Sequence, residues 1–149
     1  MALLIGIDAG TSSVKAIAVD DRTGRVEASA TRALTLETPR PGWAEQDPSD
    51  YVTATDEALA SLGRALGARA ASVRGIGLSG QMHSAVVLDE AHEVVRPAIL
   101  WCDTRTTAHC EAIRETLGDD GLRRATGNRA LEGFTLPKLL WLRDHEPEA

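Results

Sequence analysis

Cysteine is scarce in this 149-residue sequence. Cys102 and Cys110 are too few and too oddly spaced for a disulfide framework or a zinc site, so both are read as reduced thiols. Long apolar runs are missing too: no stretch approaches the ~18 residues of a membrane span. The apolar start at Leu3–Ile5 reaches Asp8 almost at once and lacks the basic flank of a secretion signal. Basic charge is short, with 16 Lys and Arg against 22 Asp and Glu and a net charge of −6. No basic patch stands out, which argues against DNA or RNA as a partner. The expectation is a cytoplasmic protein with neither a membrane nor a nucleic-acid partner. Two nucleotide signatures are also absent: no G-x-x-x-x-G-K-[ST] P-loop occurs, and no G-x-G-x-x-G opens a helix. There is no low-complexity segment.

What is present reads as an ordered α/β chain. A hydrophobic fraction of 43% supports a real core. Strands are expected at 3–8, 14–19 and 25–31, the last two joined by an Asp20–Gly24 turn in which Gly24 is free to take positive φ. Pro39-Arg40-Pro41-Gly42 breaks the pattern. Asp47-Pro48-Ser49-Asp50 then starts a helix, and Tyr51, Ala54, Ala58, Leu62 and Leu66 mark its apolar stripe up to Gly67. Further strands are expected at 73–78, 84–88 and 94–101, the last bent or kept to an edge by Pro97. Helices are expected at 104–117, 119–126 and 136–144. This order gives a mixed sheet flanked by helices. Strand, glycine-containing loop and strand occur in both 5–19 and 76–88, a weak echo.

Two loops carry candidate chemistry. In Asp8-Ala9-Gly10-Thr11-Ser12-Ser13, Gly10 permits a tight turn, while Thr11, Ser12 and Ser13 offer N–H groups and hydroxyls to phosphate oxygens. Asp8, at a strand end, could hold Mg²⁺ directly or through water, and Lys15 could add charge or face away. The alternative is a plain hairpin turn rich in hydroxyls. In Ser79-Gly80-Gln81-Met82-His83, Gln81 and His83 could bond a polyol while Met82 packs on its carbons; the alternative is that Met82 is core and His83 a solvated or packed loop residue. Trp101 could be a platform for a sugar face or a core residue. Asp103 could bind sugar hydroxyls or cap the helix that follows. His92, His109 and His145 read as surface residues.

Taken together, these segments resemble the FGGY carbohydrate kinases of the actin/hexokinase/Hsp70 superfamily. Ile5-Gly6-Ile7-Asp8-Ala9-Gly10-Thr11-Ser12-Ser13-Val14-Lys15 looks like that family's first phosphate motif, and Gly133-Phe134-Thr135-Leu136-Pro137-Lys138-Leu139-Leu140-Trp141-Leu142 looks like an FGGY signature. Trp43-Ala44-Glu45-Gln46-Asp47-Pro48, Gly80–His83 and Pro97–Trp101 look most like members acting on D-xylulose. The resemblance implies a ribonuclease H-like lobe and ATP-dependent phosphorylation of D-xylulose at its 5-hydroxyl. It implies sugar contacts at Gln81, Met82, His83, Trp101 and Asp103. It assigns Asp8, Gly10, Thr11, Ser12 and Ser13 to ATP phosphate, with Asp8 as the Mg²⁺ residue. Family chains are several times longer, and their catalytic aspartate and adenosine site lie downstream. Residues 1–149 are therefore expected to be a partial N-terminal lobe, inactive alone and prone to self-association. Two other classes stand beside it: a non-catalytic sugar- or phosphate-binding module of the same fold, which the lack of a base slightly favours for the isolated chain, and a ribonuclease H-type nuclease. The nuclease needs converging carboxylates that Asp8 does not find.

Overall fold

The computed structural model describes residues 2–149. The chain divides into two compact units, one running through Thr35 and resuming at Ser49–Gln81, the other made of Leu36–Pro48 and Met82–Ala149.

The first unit is a four-stranded mixed sheet with one helix. β1 (Leu3–Ala9), β2 (Ser13–Asp20) and β3 (Val26–Ala33) form an antiparallel meander, and β5 (Val73–Gly80) pairs parallel to β1, giving the order β3-β2-β1-β5. The β2–β3 turn works as its residues demand. Gly24 takes φ 70°, and the Asp20 carboxylate accepts from the backbone N–H groups of Thr23 and Arg22 and from the Thr23 hydroxyl. Those bonds, the Thr23 N–H foremost, hold the Asp20 carboxyl below its ordinary range.

Alternation along β1 and β2 puts Leu3, Ile7, Val14, Ala16 and Ala18 on one face. Against it lies α1 (Pro48–Leu66), whose Ala54, Ala58, Leu62 and Leu66 recur every fourth residue and are all buried. Pro48 opens this helix. Gly67, at φ 56°, ends it in a short 3-10 turn (Gly67–Ser72) that leads into β5. Leu78 of β5 lies next to Ile7 in register, yet its side chain is 80% exposed.

The second unit holds a two-stranded ladder and two helices. β4 (Glu45–Gln46) pairs antiparallel with β6 (Ala98–Ile99); α2 runs Thr107–Thr126 and α3 runs Thr135–His145. The strand expected at 84–88 does not form, and the one expected at 94–101 shrinks to two residues. Only isolated bridges join Ala85 to Ile99 and Leu88 to Val94. Pro97 has no N–H to donate, so the ladder lapses between Val95, which donates to the Val87 carbonyl, and Ile99. The echo of the first hairpin in 76–88 therefore does not extend to structure.

The break expected between two helices near residue 118 is present as a kink at Gly118 (φ 65°, ψ 158°) within α2. α2 starts three residues later than expected, because Asp103 does not cap it. Its N-cap is Thr106, without a side-chain cap bond, and the Asp103 carboxylate is taken by other partners. Among the described residues, no helix is long and apolar enough to cross a membrane.

Candidate functional site

In the first unit the candidate phosphate residues come together at one end of the sheet. Gly10 N–H donates to the Ser13 carbonyl at 3.0 Å, closing a tight turn between β1 and β2. The turn is anchored on both sides, by Leu34 N–H to the Ser12 carbonyl and by Gln81 N–H to the Ala9 carbonyl, both at 2.9 Å. The Thr11 hydroxyl donates to Gln81 Oε1 at 3.1 Å, and Gln81 Nε2 donates to the Tyr51 hydroxyl. Gln81, the residue that follows β5, thus braces the Gly10–Ser13 turn, a contact that neither loop's own sequence reveals. Gly80 leaves little room for a side chain, since a Cβ there would stand 3.0 Å from the Ala9 carbonyl oxygen.

Asp8 is exposed at the end of β1, opposite Lys15 in register, so both lie on the face away from α1. With Gly6, Ile17, Gly77 and Ser79 they line a shallow hollow of about 330 Å³. The small residues Gly6 and Gly77 leave its floor low. Lys15 therefore does not point into the core but shares the Asp8 face. Among the described residues no group of three or more His, Cys, Asp or Glu side chains could by itself hold a metal.

In the second unit Met82 is 64% exposed, His83 is exposed, and Trp101 is 48% exposed. His83 adopts φ 66°, uncommon for a residue with a β-carbon. Its ring meets Phe134 edge-to-face at 4.8 Å, and its carbonyl accepts from the Thr135 hydroxyl at 3.3 Å. Trp101 and Cys102 sit in a turn closed by Asp103 N–H to the Leu100 carbonyl at 3.2 Å.

Asp103 is 1% exposed. One carboxylate oxygen accepts from Ala44 N–H at 2.7 Å, the other from Arg105 N–H at 2.9 Å, and Arg105 Nε and Nη2 reach the carboxylate at 3.0 and 2.7 Å. Arg105 Nη2 also pairs with Glu45 at 2.8 Å, and the guanidinium lies 3.6 Å from the Trp43 ring centroid and 4.8 Å from that of Trp141. This network fixes the turn that carries Trp101. Its signal in the sequence was an Arg two residues after Asp103, with tryptophans at 43 and 141.

The second unit also encloses a lysine, Lys138 of α3. It is fully buried, and burial pushes its ammonium down to about 8, opposed by the charge of Asp103.

Known proteins resemble this chain in sequence and fold. Residues 3–149 match the N-terminal domain of the FGGY family of carbohydrate kinases. The xylulose kinase of Bacillus subtilis (strain 168) is 49% identical over 148 residues, 99% of this chain and 29% of that protein. The xylulose kinase of Escherichia coli (strain K12) is 44% identical over 146 residues, 98% of this chain and 29% of that protein. Among solved structures, a xylulose kinase from Rhodospirillum rubrum superposes with a TM-score of 0.91 at 33% identity, covering 98% of this chain and 30% of that one. A xyloylose kinase from Brucella ovis gives 0.90 at 40% identity, with 98% and 30% covered. The chain spans about 29% of the length of the curated relatives it matches. The fold is the ribonuclease H-like lobe of the actin/hexokinase/Hsp70 type. From the Gly10–Ser13 turn to α3, this chain belongs to the FGGY family of carbohydrate kinases, matching the model of its N-terminal domain.

Proposed function

We propose that this domain serves a kinase that transfers the γ-phosphoryl group of ATP to the 5-hydroxyl of D-xylulose, in the cytoplasm and with Mg²⁺. The observation that carries this reading is the identity of 49% and 44%, over nearly the whole chain, to proteins named xylulose kinase. The Gly10–Ser13 turn braced by Gln81 supports it, because the turn is tied on both sides while Ser12 stays exposed.

The residues divide the work. Thr11, Ser12 and Ser13, with the turn that Gly10 permits, bind the phosphates of ATP through their N–H groups and the Ser12 and Ser13 hydroxyls, the Thr11 hydroxyl proton being given to Gln81. Asp8 is an exposed hard-oxygen donor and suits Mg²⁺, a cation that binds one or two carboxylates and takes its other ligands from phosphate and water. Bound there, Mg²⁺ would neutralise charge between the phosphates. Met82, His83 and Trp101 present a thioether, an imidazole and an indole to the sugar, with Gln81 at the border of the phosphate turn. Asp103 shapes the sugar wall from within, since its carboxylate faces Arg105 and the Ala44 N–H. The aspartate that accepts the sugar proton is assigned, on the family pattern, to a region beyond this domain.

Two substitutions in the kinase carrying this domain test the division. His83→Ala should raise the sugar KM about tenfold or more, as a lost hydrogen bond of about 1–3 kcal/mol requires. Asp8→Ala should lower kcat and alter the Mg²⁺ dependence at an unchanged sugar KM. A sugar KM that ignores His83, or sugar binding lost in Asp8→Ala with an intact Mg²⁺ response, would refute the assignment.

A further inference from the structure

Lys138 stands where both burial and the helix field oppose a cation. It lies one turn into α3, near the positive end of the peptide dipoles, and its side chain is 0% exposed. Its neighbours in the helix, Pro137, Trp141 and Leu142, are buried apolar residues, so a leucine or methionine would satisfy the packing pattern. The ammonium instead donates to three consecutive carbonyls, those of Glu132 at 2.9 Å, Gly133 at 2.8 Å and Phe134 at 3.0 Å. Three donors meet three acceptors, so its hydrogen-bonding capacity is used in full on one short loop.

That loop touches both exposed ring residues to which sugar contact is assigned. Phe134 gives its ring to His83, edge-to-face at 4.8 Å and 87°. Thr135, the next residue, donates its hydroxyl to the His83 carbonyl. His83 needs such support, because its left-handed backbone is one that residues with a β-carbon seldom hold unaided. On the other side Gly133 lies against Trp101, where a Cβ would stand 3.2 Å from the Trp101 carbonyl oxygen. A shift of the loop by a few tenths of an ångström therefore reaches the His83 ring and the Trp101 backbone together.

We infer that Lys138 is a positioning residue for sugar recognition: by tying the carbonyls of Glu132, Gly133 and Phe134 it sets His83 and Trp101 in the geometry the sugar meets, a role that rests on the sugar-site reading above. Lys138 touches no ligand itself. It acts through the loop, which explains why a buried cation occupies a site where a hydrophobic side chain would pack at lower cost.

Lys138→Met tests this, since methionine fills the volume and withdraws all three donors. In the kinase carrying the domain, the sugar KM should rise tenfold or more while the ATP KM stays within about twofold. The NMR signals of the His83 ring, shifted by the Phe134 ring it abuts, should move toward those of an unstacked histidine. A folded Lys138→Met with both the sugar KM and the His83 signals unchanged overturns the inference. So does a raised sugar KM with His83 signals that do not move. Displaced His83 signals with a sugar KM unchanged in both Lys138→Met and His83→Ala would uphold the hold on His83 and overturn the sugar-site reading instead. Should Lys138→Met fail to fold, Thr135→Val severs only the hydroxyl bond to His83. It should still shift the His83 signals and raise the sugar KM severalfold, and no change in either would overturn the inference.

Discussion

Replacing Arg105 with methionine withdraws the guanidinium that the buried Asp103 carboxylate faces. Arg105 is 1% exposed in its side chain and Asp103 0%, so neither charge regains water in the folded state. Asp103 would keep the N–H groups of Ala44 and residue 105, at 2.7 and 2.9 Å, and Glu45 would keep Arg96. Breaking one side of a buried pair costs about 3–5 kcal/mol, because the remaining charge stays desolvated. The cation–π contacts with Trp43 and Trp141 add a loss of about 2 kcal/mol when desolvated. The methionine thioether returns about 0.3–1.5 kcal/mol against the same rings. The surviving backbone bonds offset much of the rest, so about 3–5 kcal/mol is expected. At about 2–4 °C per kcal/mol for a chain near this size, the midpoint should fall by about 6–20 °C. Urea titration of the 149-residue chain, with m compared between variants, measures it. Adding Asp103→Asn removes the stranded charge and should recover about 2 kcal/mol or more, a coupling read from the double-mutant cycle. A cost below about 1 kcal/mol, or a double variant no more stable than Arg105→Met, would refute the claim that this pair is a desolvated charge network.

Further outcomes follow from the same geometry. Gly42→Ala should destabilise the chain by about 2 kcal/mol or more. It puts a β-carbon on a φ of 80° and 2.6 Å from the Thr104 hydroxyl oxygen, and an unchanged urea midpoint would count against that packing. Lys138 should titrate near 8 when its ε-carbon is followed by NMR. Its folded pKa lies below the unfolded value of about 10.4, so the unfolded chain binds more protons between the two. Its contribution to stability should therefore rise with pH from about 8 to about 10.4, and Lys138→Met should lack that slope; an identical slope in the variant would be the contrary result. Residues 1–149 alone should show no sugar-stimulated ATP turnover, since general-base help is worth about 10²–10⁴ in rate and no base is assigned here. The same preparation should self-associate through the exposed Leu78 and Ile76 of β5, which light scattering would register. Enzyme-like turnover, or a monomer at high concentration, would contradict these two expectations.

The amino-acid order alone determined the meander, the turn at Gly24 and the apolar stripe of α1. Each depends on contacts within a few residues: alternation along a strand, a glycine where φ is positive, a repeat of four along a helix. The tight Gly10–Ser13 turn was legible for the same reason, since a Gly followed by three hydroxyl residues between two strands is a local pattern. Tertiary structure decided what spans distance. Gln81 braces Thr11 across 70 residues, and Asp103 meets Ala44 across 59, which is why it anchors a turn and leaves α2 uncapped. The expected strand at 84–88 failed because its partner was interrupted at Pro97, a matter of pairing that no single segment reveals. Lys138 shows the limit most plainly. The three carbonyls it binds lie only four to six residues before it, but the loop they form gains its meaning from a contact across 52 residues, where Thr135 meets His83.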